Sequence, residues 1–143
     1  MRVLVDTNVL LDYLAKREPY LKSSEGIFSA CSTGRVDGCV AVHSFPNIFY
    51  ILRKIYTIAE RRSLLLDLCH LFSVEGIDRS TVEAAIRNES FDDFEDALQE
   101  ECAKAFGADF IVTRNPKDFA ASEVPIVSPD DFMKMLGGYE LGS

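Results

Sequence analysis

The sequence predicts an α/β fold, a three-layer α/β/α sandwich around a central, mainly parallel sheet. Three observations carry this. Short apolar runs of strand type alternate with helical patterns along most of the chain. Strands joined through helices pair in parallel, with helices on both faces of the sheet. The 143 residues suit one domain with a sizeable core, and no repeat, low-complexity segment or linker divides them. The expected organisation is a single domain over 1–136 and a flexible tail over 137–143.

Residues 1–6 carry Val3-Leu4-Val5, a buried-strand run. Thr7 or Asn8 is placed to cap a helix whose Leu10, Leu11 and Leu14 share a face, and Pro19 breaks it. A second helix is expected over 21–33, with Ile27, Phe28 and Cys31 inward and Gly34 at its end. Residues 36–42 read as a strand. Residues 44–54 read as a helix with Pro46 in its first turn and Ile48, Phe49, Ile51, Leu52 and Ile55 on one face. A helix over 64–71, a strand over 72–75 and a helix over 81–87 follow. Residues 94–106 form the next helix, with Phe94, Ala97, Leu98, Cys102, Ala105 and Phe106 on one side and Gly107 after it. A strand at 110–113, a last strand at 126–127 and a last helix at 129–136 complete the order.

Composition narrows the function. No apolar run approaches the roughly 18 residues of a membrane span. The N-terminus runs straight into MRVLVDTN, without the features of a secretory signal, so the cytoplasm is the expected compartment. Cys31, Cys39, Cys69 and Cys102 form no C-x-x-C and read as buried thiols. His43 and His70 make no ligand pair, and His70 reads as a packing residue. The formal charge is −8, divided unevenly: +3 over residues 1–62 and −11 over residues 63–143. Bulk negative charge argues against a simple basic nucleic-acid binder. Neither a P-loop nor a G-x-G-x-x-G is present, and no serine or cysteine nucleophile motif.

The candidate chemistry sits where strands end. Asp6 closes the first strand, Asp93 and Asp96 open the 94–106 helix, and Asn115 and Asp118 follow the 110–113 strand. If those strands are neighbours, the groups converge at one sheet edge. Convergent carboxylates repel unless a cation neutralises them, and hard oxygen donors suit Mg²⁺ or Mn²⁺. The bland alternatives are a helix cap for Asp6, dipole-favourable acids at Asp93 and Glu95, and a solvated face for Asp92, Glu100 and Glu101.

At these residues the chain resembles the PIN-domain family. Val5-Asp6-Thr7-Asn8-Val9-Leu10-Leu11-Asp12 is similar to its N-terminal signature, Asp93-Phe94-Glu95-Asp96-Ala97-Leu98 to its third motif, and the stretch from Gly107 to Phe119 to its fourth. The resemblance covers roughly residues 2–132. It implies a metal-dependent nuclease, similar to the toxins of VapBC-type toxin–antitoxin pairs, that cleaves RNA with a metal-activated water. It implies Asp6, Asp96 and Asp118 as metal ligands, with Asp93 as a further catalytic acid. Thr7, Asn8, Asn47, Thr113 and Asn115 would support them. Partners implied are RNA, a second copy in a homodimer, and an antitoxin that inserts a basic side chain into the acidic site. Two departures stand out: Asn47 and Asn115 occupy positions where the family usually has acids.

Positive charge for RNA is expected from Arg53, Lys54, Arg61 and Arg62, and from Arg114 and Lys117 beside the fourth motif. Lys16, Arg17 and Lys22 form a second strip. Tyr50 and Tyr56 read as core or interface residues before base-stacking ones. The rival to the ribonuclease is a catalytically impaired PIN-like module that binds RNA or protein. A receiver- or phosphatase-type domain would want a second acid at position 8, which is Asn8.

Overall fold

The N-terminal apolar run forms β1 (Arg2–Val5). Its alternation sends Val3 and Val5 to one face and Leu4 to the other, and all three are fully buried. A strand buried on both faces needs cover on both and neighbours on both edges. In the computed structural model, which describes residues 1–137, those neighbours are β2 (Asp37–Ala41) and β4 (Phe110–Val112). β3 (Ser73–Glu75) extends the sheet beyond β2, and β5 (Ile126–Val127) beyond β4. The order is β3-β2-β1-β4-β5 with every pair parallel, so the predicted α/β sandwich is the observed fold.

One face packs on α1 (Thr7–Leu14), α2 (Leu21–Ser32), α3 (Ser44–Ile51), α4 (Ile58–Leu71) and α7 (Pro129–Met135). The other packs on α5 (Arg79–Arg87) and α6 (Phe94–Phe106). The chain builds outward from β1 to β2 and β3, then returns to place β4 on the far side of β1. The reversal puts a crevice beyond the carboxyl ends of β1 and β4, where open α/β sheets bind their ligands.

Several local expectations are corrected. Asp6, not Thr7 or Asn8, caps α1: its side chain accepts from the Thr7 N–H. α4 begins at Ile58 rather than residue 64, started by a capping box between Thr57 and Glu60. Leu68 is its one fully buried residue, so periodicity alone could not find its start. The 44–54 helix ends at Ile51 and tightens into a 3₁₀ turn over Leu52–Lys54. Ile48 and Leu52 are buried there, whereas Ile51 and Ile55 are exposed.

On α6 the inward strip is Ala97, Leu98, Gln99, Glu100, Cys102, Ala103 and Phe106. Phe94 and Ala105 lie outside it and are exposed. Two polar residues on the buried face had turned the apolar pattern. Glu100 is accordingly not solvated: it accepts from the Glu123 N–H at 2.7 Å and lies 3.9 Å from Lys104. Cys31, Cys39 and Cys102 are buried, but Cys69 is exposed, as is the neighbouring His70. Of the tail expected over 137–143, Gly137 donates its N–H to the Lys134 carbonyl, and 138–143 lie outside the described residues.

Gly38 on β2 marks a close approach. A Cβ there would stand 2.8 Å from Cys31 Sγ and 2.9 Å from a Phe72 ring carbon. Gly38→Ala should therefore cost about 1–3 kcal/mol through overpacking, read as a lower urea midpoint with unchanged slope.

Candidate active site

Asp6 and Thr113 stand side by side just past β1 and β4. The Asp6 N–H donates to the Val112 carbonyl, and the Thr113 N–H to the Val127 carbonyl, each at 3.0 Å. Asp6 is 5% exposed. Its Oδ1 accepts from the Thr7 N–H at 2.8 Å and from Gln99 Nε2 at 3.3 Å, and its Oδ2 accepts from the Thr113 hydroxyl at 2.8 Å. The cap and the candidate ligand are thus the same carboxylate. Beneath it, the Thr7 and Ser44 hydroxyls share a 2.7 Å hydrogen bond, and Gln99 Nε2 donates to both. Gln99 Oε1 is buried without a hydrogen-bond partner.

α6 brings the second group of acids. Asp93 caps the helix, its Oδ1 accepting from the Asp96 N–H at 3.1 Å. Gly107 ends the helix at φ 75°, a left-handed conformation that glycine adopts without strain. Asp93, Asp96, Asp118, Lys117 and Ser90 line one cavity of about 230 Å³. Glu95 is half-buried, and its Oε2 accepts from Asn47 Nδ2 at 2.9 Å.

These carboxylates act on one another. Burial, then Glu95 and Asp118, push Asp6 up to about 6, against the lowering hydrogen bonds from Thr113 and Thr7. Burial, then Asp93, Asp6, Asp118 and Glu95, push Asp96 up to about 7. Burial and Asp93 raise Glu95, against the bond from Asn47. Burial lowers His43, against an opposing interaction with the Glu95 backbone.

The structure brings Asp6, Asp96, Asp118 and Asp93 into one electrostatic group, with Thr7 and Thr113 bonded to Asp6. Asn115 is exposed; its N–H donates to the Thr113 hydroxyl, and it lines an adjoining cavity with Lys117 and Asp118. Asn8 Oδ1 accepts from the Arg114 N–H at 3.5 Å. The expected RNA-facing cations divide. Arg114 grips Asp12 through two hydrogen bonds and stacks over Tyr20. Arg61 donates to the Phe49 carbonyl and covers its ring, and Arg53 lies over Tyr50. Lys54 and Arg62 are exposed, and Lys117 borders the acidic cavity.

Sequence reasoning passed over Glu95, Gln99 and Ser44. Glu95 lay in view inside the third motif, where it read as a dipole-favourable acid. Gln99, three residues after Asp96, shares its helix side, which was a usable signal. Ser44 had none.

Among the described residues, no group of three or more His, Cys, Asp or Glu side chains meets the arrangement of a ready-made metal cluster. The donor chemistry fits a hard divalent cation all the same. It is oxygen only, and its carboxylates are held above their ordinary range by burial and mutual repulsion, which a cation relieves.

Because Asp6 and Asp96 bind protons more tightly folded than unfolded, they favour the fold at low pH. That contribution is lost as pH rises through about 6 to 7. His43, kept neutral by burial, works the opposite way. In cation-free melts from pH 5 to 8, Asp96→Asn should therefore gain stability relative to wild type as pH rises; parallel profiles would contradict this. Asp12 is 1% exposed and carries Arg114. Asp12→Ala should cost about 3 kcal/mol by denaturant titration, since it strands a part-buried guanidinium.

A family model of the PIN domain matches residues 2–117. Among solved structures, a toxin–antitoxin complex from Klebsiella pneumoniae is similar at 20% identity and a TM-score of 0.68, covering 89% of this chain and 97% of that one. The VapC20 toxin of Mycobacterium tuberculosis, described as cleaving the sarcin–ricin loop, is similar at 13% identity and a TM-score of 0.66, covering 85% and 95%. VapBC2 from Rickettsia felis, bound to a fragment of promoter DNA, is similar at 14% identity and a TM-score of 0.65, covering 90% and 98%. At such identities the likeness is one of fold. No curated protein matches the chain. With the family match running from β1 into the fourth motif, on a fold that brings the ends of β1 and β4 to one crevice, the chain belongs to the PIN-domain family.

Proposed function

We propose that this protein is a divalent-cation-dependent endoribonuclease, the toxin of a type II toxin–antitoxin pair. The observation that carries the reading is Asp6, fixed at the carboxyl ends of β1 and β4, within electrostatic reach of Asp96 and Asp118, which line one cavity. Asp6, Asp96 and Asp118 would hold Mg²⁺ or Mn²⁺. Such a cation, when bound, acidifies water and offsets the negative charge that builds on a phosphoryl group.

The chain's own residues do the positioning. Thr113 and Thr7 fix the two oxygens of Asp6, so its orientation does not depend on a ligand. Gln99 ties that carboxylate to α3 through Ser44. Asp93 holds the start of α6, and with it Asp96. Lys117, on the same cavity as Asp96 and Asp118, meets the charge of a substrate phosphate. Thr113 and Asn115 keep the fourth-motif turn in place. Arg53, Lys54, Arg61, Arg62 and Arg114 are the further basic residues of the RNA-binding proposal, and Arg61 and Arg114 reach it only by leaving or sharing their internal partners.

An acidic crevice of this kind suits an antitoxin's basic side chain, and a second copy of the chain completes a homodimer in the cytoplasm. The fold likeness to toxins of toxin–antitoxin complexes supports this reading. No described helix is long and apolar enough to cross a membrane. A second reading, an impaired binding module, draws on the amides Asn47 and Asn115 at positions where an acid would add charge.

Purified protein should cut single-stranded RNA with Mg²⁺ or Mn²⁺ and stop on chelation. Asp6→Asn or Asp96→Asn should cost more than the roughly 10–100-fold typical of residues that merely support a ligand. RNA retained but uncut with either cation would favour the module.

A further inference from the structure

We infer that Glu95 supplies a fourth carboxylate to this site and that Asn47 is the positioning residue that aims it. The inference rests on the cation-dependent reading above and adds two residues to it.

Asn47 and Glu95 come from different elements, α3 and α6, which lie against opposite faces of the sheet. They meet around its carboxyl edge, where Asn47 Nδ2 donates to Glu95 Oε2 at 2.9 Å. Glu95 stands in the first turn of α6, beside Asp96 and two residues from the Asp93 cap. Its charge is felt by both Asp6 and Asp96. A glutamate with three like charges around it has every reason to swing out to water. It is instead half-buried and tethered.

The chemistry of the tether matters. A lysine or arginine at position 47 would neutralise Glu95 and compete with a cation for it. An amide is neutral: it fixes one oxygen, preserves the full negative charge, and leaves Oε1 for a ligand. The surroundings are built to the same end. Gln99 Oε1, fully buried and unpartnered, belongs to the polar cluster that joins α3 to Asp6.

The test is Mn²⁺ binding by calorimetry on the full chain, with circular dichroism melts to confirm folding. Glu95→Gln should weaken Mn²⁺ binding about 10-fold or more, and Asn47→Ala by several-fold, both with the fold intact. The paired change Asn47→Glu with Glu95→Gln moves the charge to α3 and keeps a hydrogen bond between the two positions. It should recover most of the lost affinity, which a purely structural role would not produce. Should Glu95→Gln fail to fold, Glu95→Asp keeps the charge but draws it back from Asn47, and should also weaken binding. Wild-type affinity in Glu95→Gln or Glu95→Asp, alongside its loss in Asp96→Asn, would overturn the inference and leave the cation site standing. No Mn²⁺ binding by the wild-type chain would overturn both.

Discussion

The hydrogen bond from the Thr113 hydroxyl to Asp6 joins the sheet to the chemistry. It forms because β1 and β4 pair in parallel with Val5 opposite Val112, so the next residue on each strand emerges at the same level. Parallel pairing alone sets that level. The hydroxyl then offsets part of the cost of holding a carboxylate at 5% exposure. Without this neighbour, Asp6 would be a helix cap with one oxygen unserved. With it, Asp6 is a fixed anion at the point where the sheet order reverses.

The same arrangement sets stability against function. A helix cap is ordinarily a gain, and Asp6 and Asp93 each provide one, to α1 and α6. Yet both caps lie in a field of like charges that the fold does not neutralise internally. Arg114 is committed to Asp12, and Lys104 to Glu100, Glu101 and Glu123, so neither relieves it. These two cations thus brace the frame, and of the residues lining the acidic cavity Lys117 alone is basic. The uneven charge of the sequence, seventeen of its 23 acids falling after residue 62, reads more clearly in this light. Part of it is crevice, and part is brace, as Glu100 shows.

The centre of the sheet was legible because β1 and β4 are short apolar runs, and the alternation of Val3, Leu4 and Val5 needs only the two-residue repeat of a strand. The end of α6 was legible from Gly107. The start of α4 was not, because its first two turns bury nothing fully and rely on Thr57 and Glu60. The face of α6 was misjudged because hydrophobic periodicity treats Gln99 and Glu100 as outward residues, while in the fold Gln99 Nε2 donates to Asp6 and Glu100 accepts from the Glu123 N–H. The motif carboxylates could be read from their positions at strand and helix ends. Their supports could not: Ser44, Gln99 and the Asn47–Glu95 pair are contacts between segments about 50 residues apart, and no local pattern encodes them.

The strand order has a further consequence. Asp6, Ser44, Asn47 and Thr113 all follow the three inner strands, β1, β2 and β4, and Asp118 lies in the 3₁₀ turn after Asn115. The edge strand β3 and its flanking helices α4 and α5 contribute no side chain to the crevice. That margin of the molecule is therefore free to drift, lengthen or acquire new surface chemistry while the crevice keeps its dimensions. A scaffold divided in this way can change what it recognises at its margin without renegotiating the reaction at its centre.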